Sequence, residues 1–242
     1  MTVILVLPAF NEAGNLGLVL DDCARATSDA GCQLRIVLVD DGSTDQTEAI
    51  ARAWARHGPP LELIVHSANQ GLGKTMHDGL KRAAEIAGPD DVIVTMDADN
   101  TQPASLIPRL LDAVNAGSDL VIASRFRPGA KVVGLSLLRR GLTILSSYLY
   151  RSLRPIPGVR DYSCGFRAYR GRLMQQAFAA YQGRFITEAG FTCMAEILVK
   201  LGALGPIVHE VPMILRYDRK KGASKMPVAR TVGRSLHLLL RG

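Results

Sequence analysis

Aromatic residues are scarce in this chain of 242 residues, at 5%, and Trp54 is the only tryptophan. That leaves little material for the stacked platforms that hold bases or sugars. Cysteine is scarcer still. Cys23, Cys32, Cys164 and Cys193 show neither a CxxC spacing nor a zinc pattern with histidine, so they read as reduced, mostly buried thiols of a cytoplasmic protein. No apolar run reaches the ~18–20 residues of a membrane span, and the longest candidate, 134–150, is broken by Arg139 and Arg140. The chain opens directly on a strand-like run, so no signal peptide is expected. No repeat or low-complexity linker divides it. What remains is 48% hydrophobic and 21% charged, an ordinary globular composition.

The net charge of +7 conceals a segregation. Residues 1–124 carry 8 Lys/Arg against 17 Asp/Glu, whereas residues 125–172 carry 11 basic groups against Asp161 alone. Residues 205–242 are again basic, with 8 against 2. A basic second half suits an anionic partner: nucleic acid, a phosphorylated substrate or an anionic membrane face. A merely solvated surface is the plainer alternative.

The apolar run 3–7 predicts a strand buried on both faces. A helix follows from Asn11 or Asn15 to about Ala30. Strand 34–39 ends in Asp40-Asp41-Gly42-Ser43, and a helix over 44–57 has Ser43 and Gln46 spaced as a capping box. Strand 61–66, helix 74–87, strand 92–96, helix 103–116 and strand 119–124 complete four βα units. They predict an α/β protein with a parallel sheet and helices on both faces. Ligands bind such sheets beyond the carboxyl ends of the strands. Asp40-Asp41 and Asp97-Ala98-Asp99 fall at those ends, placing two carboxylate pairs on one rim. Beyond residue 125, Leu138, Leu142, Leu145 and Leu149 form a helical stripe beside Arg139, Arg140, Arg151 and Arg154, suited to a membrane interface or to packing on the sheet edge. A strand near 163–169, helices over 171–180 and 187–203, a strand over 207–217 and a basic helix after Met226 follow.

Gly71-Leu72-Gly73-Lys74-Thr75 is not a nucleoside-triphosphatase loop, because the required first glycine is Ala68. No GxGxxG follows the first strand, which excludes a dinucleotide site of that kind. Asp97 and Asp99, at a strand-to-loop break, can reach one hard cation of the Mg²⁺ or Mn²⁺ type that shares its shell with a diphosphate.

Four segments (Leu7-Pro8-Ala9-Phe10-Asn11-Glu12, Val39 to Asp45, Asn69 to Gly73 and Met96-Asp97-Ala98-Asp99) resemble glycosyltransferase family 2 in order and spacing. Ser124-Arg125, Arg160 to Arg167 and Asp218 to Lys225 resemble its polyprenyl-phosphate branch, the dolichyl-phosphate mannose synthases and bacterial polyprenyl-phosphate sugar transferases. The resemblance implies a GT-A fold over residues 1–226, with 227–242 as a basic amphipathic helix near a membrane. It also implies inverting, metal-dependent transfer of a hexose from a nucleotide sugar, with mannose from GDP-mannose first among the choices, to polyprenyl phosphate. Carried over by position, Pro8, Asn11, Glu12, Asp41, Gly71, Lys74, Asp97, Ala98 and Lys225 belong to the nucleotide site. Asp97 and Asp99 face the metal. In relatives with a DADLQ pattern the glutamine joins them; that position is Thr101 here, and Gln102 follows as the candidate third donor. Asp99, Arg125 and Arg219 are the implied catalytic groups, and Arg125, Arg139, Arg140, Ser163 and Ser224 the implied acceptor-phosphate site.

A phosphate acceptor is already an anion and needs no general base. The basic segment can then hold the lipid phosphate and lean on anionic headgroups, at about 1 kcal/mol per basic group. The expected partners are a nucleotide-sugar donor, a polyprenyl phosphate and an anionic membrane surface on the cytoplasmic side, without nucleic acid. An end at a leucine-rich helix also suits a separate membrane-anchoring subunit. Two other readings stay open: another donor such as UDP-glucose or another lipid acceptor, and a nucleotide-sugar or nucleic-acid binding protein without catalysis.

Overall fold

The computed structural model describes residues 1–219, with the side chains of 137–139 left aside. Lys225, Ser224, the side chain of Arg139 and the expected helix over 227–242 lie outside the described residues.

The first three strands, β1 (Thr2–Ala9), β2 (Gln33–Asp40) and β3 (Leu61–Val65), alternate with α1 (Leu16–Asp29) and α2 (Thr47–Trp54). Then come α3 (Leu72–Ile86), β4 (Val92–Thr95), α4 (Ile107–Asn115) and β5 (Leu120–Ser124). The second half adds β6 (Lys131–Val133), α5 (Leu137–Leu153), β7 (Arg167–Arg170), α6 (Gly171–Tyr181), α7 (Cys193–Gly202), β8 (Val208–Pro212) and β9 (Ile214–Arg216). Seven strands form one sheet in the order β3-β2-β1-β4-β7-β5-β8. All pair in parallel except β7, which runs antiparallel between β4 and β5. The apolar runs of β1, β2, β4 and β5 are almost fully buried, as strands covered on both faces must be.

Topology explains the two helical layers. The chain steps from β1 to β2 to β3 in one direction and then doubles back past β1 to β4. With right-handed crossovers, that reversal sends α3 to the opposite face from α1 and α2. Accordingly α1 packs with α2, while α3 packs with α6 and α7; α4 packs with α1, the face that a right-handed β4–β5 crossover would not give it. The reversal leaves a crevice between the carboxyl ends of β1 and β4, where open α/β sheets bind ligands.

Several sequence expectations shift. The Ser43/Gln46 capping box does not form: Gln46 caps α2 without a side-chain bond. Ser43 Oγ accepts from Asn11 N–H at 2.9 Å, and Asp45 takes over Thr47 N–H. The expected strand 207–217 is two strands, since β9 leaves the main sheet to pair with β6. Residues 187–192, expected as helix, stay irregular because Glu196 accepts from both Thr187 and Glu188 N–H groups. The leucine stripe on α5 divides: Leu149 packs on the core, whereas Leu145 is 55% exposed beside Ile144 and Tyr148. The thiols are as expected for Cys23, Cys164 and Cys193, all buried, and burial pushes those of Cys23 and Cys164 up to about 12.

Candidate active site

Beyond the crevice, Asp97, Ala98 and Asp99 follow β4. Asp97 is fixed by a reciprocal pair: its N–H donates to Gln102 Oε1 (3.0 Å), and Gln102 Nε2 donates to Asp97 Oδ2 (2.8 Å). Asp99 Oδ1 accepts from Thr101 N–H at 3.1 Å and from Thr101 Oγ1 at 2.7 Å. The loop turns at Asn100, which holds a φ of 61° that side chains rarely adopt. The amide of the buried Gln102 therefore faces Asp97 in this structure, and Thr101 supports Asp99.

The donor chemistry of this loop fits a hard divalent cation. Both carboxylates are half-buried at one turn. Among the described residues no group of three or more His, Cys, Asp or Glu gathers at this turn or elsewhere, so the two carboxylates are the share the protein offers. Mg²⁺ characteristically takes one or two carboxylates and completes its shell with water and phosphate oxygens.

Tyr217, just after β9, lies within electrostatic reach of Asp97, Asp99 and Arg125; burial pushes its phenol up, and the two carboxylates push the same way. Its neighbour ties the two segments together, since Arg216 N–H donates to Thr101 C=O at 2.8 Å. Arg219 reaches a cleft of about 220 Å³ that it shares with Asn100 and Gln102. Gly165, on the opposite side, leaves space for Asp97: a Cβ there would stand 3.5 Å from Asp97 Oδ1.

The β1–β2–β3 side of the crevice is a hydrogen-bonded frame. Asn11, at a φ of 51°, accepts from Thr44 N–H at 2.8 Å. Glu12 N–H donates to Thr47 Oγ1, and the Glu12 carboxylate accepts from Asn15. Pro8 is half-buried in β1. Asp41 is buried, and both its oxygens are engaged: Oδ1 accepts from Gln70 N–H and faces His66 Nδ1, and Oδ2 accepts from Gly71 N–H. His66 Nε2 lies 3.1 Å from Asp78, which also meets Lys74 Nζ at 2.6 Å and His77 at 3.0 Å. Burial works to raise the Asp78 carboxyl, but these hydrogen bonds prevail and hold it below the ordinary range.

Gly71 and Gly73 are required by close packing. A Cβ at Gly73 would stand 1.8 Å from Glu188 O, and one at Gly71 2.6 Å from Ala189 O. The 187–190 segment that presses on them is anchored by the buried Glu196, whose carboxyl is held low, against burial, by Lys200 and Thr187.

Beyond β4 and β7 on the same side of the crevice, Arg125 follows β5. Its Nε and Nη2 grip Asp161 at 2.8 and 2.6 Å, and Nη2 also donates to Ser163 Oγ at 2.7 Å. Asp161 is fully buried; burial alone would raise its carboxyl, and Arg125 draws it below the usual range. Glu210 on β8, also buried, accepts from Arg160 and Asp161 N–H groups and so sets the loop that carries Asp161. Arg140 is exposed at the start of α5. The turn before α5 comes close to Tyr217: a Cβ at Gly134 would meet Asp218 N at 2.8 Å.

The structure thus brings Asp97 and Gln102 together and Arg125 with Ser163, and seats Arg219 on a cleft with Asn100 and Gln102 that Asp97 and Asp99 do not line. His66, Asp78, Glu196, Glu210 and Tyr217 were not among the residues singled out from sequence. Asp161, the lone acid of a basic segment, carried a visible signal.

The family model described as glycosyl transferase family 2 matches residues 4–178. The chain belongs to that family. It is 32% identical to polyprenol monophosphomannose synthase of Mycolicibacterium smegmatis, covering 92% of this chain and 80% of the relative. It is 30% identical to undecaprenyl-phosphate mannosyltransferase of Micrococcus luteus, covering 93% and 88%. Among solved structures, glucosyl-3-phosphoglycerate synthase from Mycobacterium tuberculosis with Mn²⁺, UDP and glucosyl-3-phosphoglycerate superposes with a TM-score of 0.68 at 20% identity, covering 99% of this chain and 78% of that one. The same enzyme with Mg²⁺ and UDP gives 0.68 at 19% identity, covering 98% and 79%. The fold is GT-A, and the protein is a glycosyltransferase.

Proposed function

We propose that this enzyme transfers a hexose, mannose before others, from a nucleoside-diphosphate sugar to a polyprenyl phosphate at a membrane surface, with inversion. The observation that carries the reading is the grouping around Tyr217: Asp97, Asp99 and the Asp161-locked Arg125, which also meets Ser163, all lie within its electrostatic reach. The relatives named polyprenol monophosphomannose synthase and undecaprenyl-phosphate mannosyltransferase support mannose as the sugar and a polyprenyl phosphate as the acceptor.

The β1–β2–β3 frame receives the nucleoside, with Asp41 and His66 shaping the 66–71 loop. Asp97 and Asp99 would hold a divalent cation, whose chemistry there would be to neutralise charge on the departing diphosphate. Arg125 cannot swing freely, because two of its nitrogens are committed to a buried carboxylate. It therefore offers a cation in a preset direction, and preset charges need no rearrangement at the moment of reaction. The acceptor phosphate oxygen forms the bond to the anomeric carbon, the bond to the diphosphate oxygen breaks, and the electron pair leaves on the nucleoside diphosphate. No proton has to be removed from the nucleophile. Among the described residues no helix is long and apolar enough to cross a membrane. The exposed Ile144, Leu145 and Tyr148 on α5, with Arg140 beside them, provide an interfacial face instead.

The test is a donor screen with GDP-mannose and UDP-glucose, comparing a short polyprenyl phosphate with its polyprenol. Transfer to the phosphate alone, abolished by chelation of divalent ions, is the expected result. Equal activity on the alcohol overturns the reading.

A further inference from the structure

Away from the carboxylate rim, a second cleft of about 370 Å³ opens between the end of α5 and the 155–160 segment. Three guanidinium groups line it, those of Arg127, Arg151 and Arg160, over an apolar floor of Pro155, Ile156 and Val159. Arg127 is braced, with Nε 3.0 Å from Glu210 Oε2 and Nη2 donating to Gly158 C=O. The other oxygen of Glu210 already accepts two backbone N–H groups. Arg151 and Arg160 are exposed and form no ion pair among the described residues. Glu210 thus pairs with one of the three arginines that line the cleft, leaving an excess of positive charge that repels itself until an anion enters. Planar guanidinium groups converging on a pocket match phosphate oxygens in particular.

The approach to the cleft identifies the source of that phosphate. On α5, Ile144 and Tyr148 share a face with Arg151 and are half or more exposed, with Leu145 beside them, and the cleft opens at Arg151 on that face. A small phosphorylated metabolite has no use for such an approach, whereas a phospholipid has both an anionic head and apolar chains. The cleft is also separate from the acceptor position. Arg140, at the other end of α5, is about 16 Å from Arg151 along the helix axis at 1.5 Å per residue. Asp161 and Glu210 stand between the cleft and Arg125.

We propose that this cleft binds the phosphodiester headgroup of an anionic membrane phospholipid, as a site distinct from that of the acceptor lipid. The inference rests on the membrane-surface reading above, but its test needs neither donor nor transfer, so the two can fail separately. The full-length protein is floated with vesicles of phosphatidylcholine alone and with vesicles also containing phosphatidylglycerol. The parent is expected to prefer the phosphatidylglycerol vesicles at least tenfold. Arg151→Gln with Arg160→Gln should remove most of that preference. Arg172→Gln with Arg184→Gln, an equal loss of charge at exposed positions elsewhere, should lower it less than threefold. Melting temperatures are compared in parallel, and each single cleft substitution is read if the double variant melts early. An equal drop in both double variants would mean diffuse charge and overturns the site, as does a parent indifferent to phosphatidylglycerol or a cleft variant that binds like the parent.

Discussion

The acidic and the basic regions of this enzyme use carboxylates in opposite ways. In residues 1–124, where acids outnumber basic groups, buried carboxylates mostly accept from neutral backbone donors. Asp40 takes Ser43 N–H, and Asp41 takes Gln70 and Gly71. They shape loops, and Asp97 and Asp99 stand at the crevice. In residues 125–219, where acids are few, Asp161 and Glu210 are buried against arginines. Each holds a cation in place and a loop with it. An acid in the basic region therefore has more depending on it than an acid in the acidic region, and overall charge counts conceal this.

The largest effect is expected where the acidic region is proposed to hold the metal. Asp99→Ala should lower transfer by about 10²–10³ or more, the usual cost of removing a transition-state electrostatic element. Its fold should survive, since Asp99 is only half-buried and stands in the loop after β4 rather than in the core. Steady-state turnover together with circular dichroism checks both halves, and normal turnover would remove Asp99 from the metal site.

Next comes the contrast itself. Asp161→Asn strands Arg125, and breaking a buried pair from one side costs about 3–5 kcal/mol. Asp40→Asn loses a charge-assisted hydrogen bond to a backbone donor, about 1.5–3 kcal/mol. Urea unfolding of the two variants ranks them, and the reverse order would break the comparison. The pH dependence has a definite sign. The folded carboxyl of Asp161 sits below the unfolded value of about 3.9. Its stabilisation is therefore complete above that value and is lost as pH falls through the folded one. The acid limb of the stability profile below pH ~4 should be shallower in Asp161→Asn than in the parent.

A smaller effect is expected at Gly73. An added Cβ must displace the Glu188 carbonyl, and such overpacking costs about 1–3 kcal/mol. Gly73→Ala should also raise the donor KM more than it lowers kcat, because the displaced segment backs the nucleotide loop. A change in kcat alone would argue against that placement.

The smallest change in stability belongs to the exposed face of the basic region. Ile144→Gln with Leu145→Gln should stay within about 0.5 kcal/mol per substitution of the parent, as surface changes do. Partition onto vesicles should nevertheless fall. A large loss of stability would show instead that this face packs on protein.

The repeating βα order, the buried strands, the shared rim and the DxD loop were legible because each depends on neighbours in the chain. Apolar runs of β-branched and leucine residues mark strands buried on both faces, and a parallel sheet puts every strand-end aspartate on the same edge. The antiparallel β7 and the departure of β9 to pair with β6 were not legible, since each answers to a partner far along the chain, and the irregular 187–192 segment was not, since a side chain eight or nine residues on takes its N–H groups. Glu196 unravels a helix start by capturing two N–H groups. The roles of single residues divided along the same line. Local spacing marked Asp97 and Asp99 as a pair, but the fold turned the Gln102 amide onto Asp97, set His66 between Asp41 and Asp78, and locked Arg125 on Asp161. Those partners lie 25 and 36 residues away in two cases, from His66 to Asp41 and from Arg125 to Asp161. Periodicity and propensity act over a few residues, whereas the direction of a buried charge is set by whatever polar group the packed chain brings within 3 Å of it.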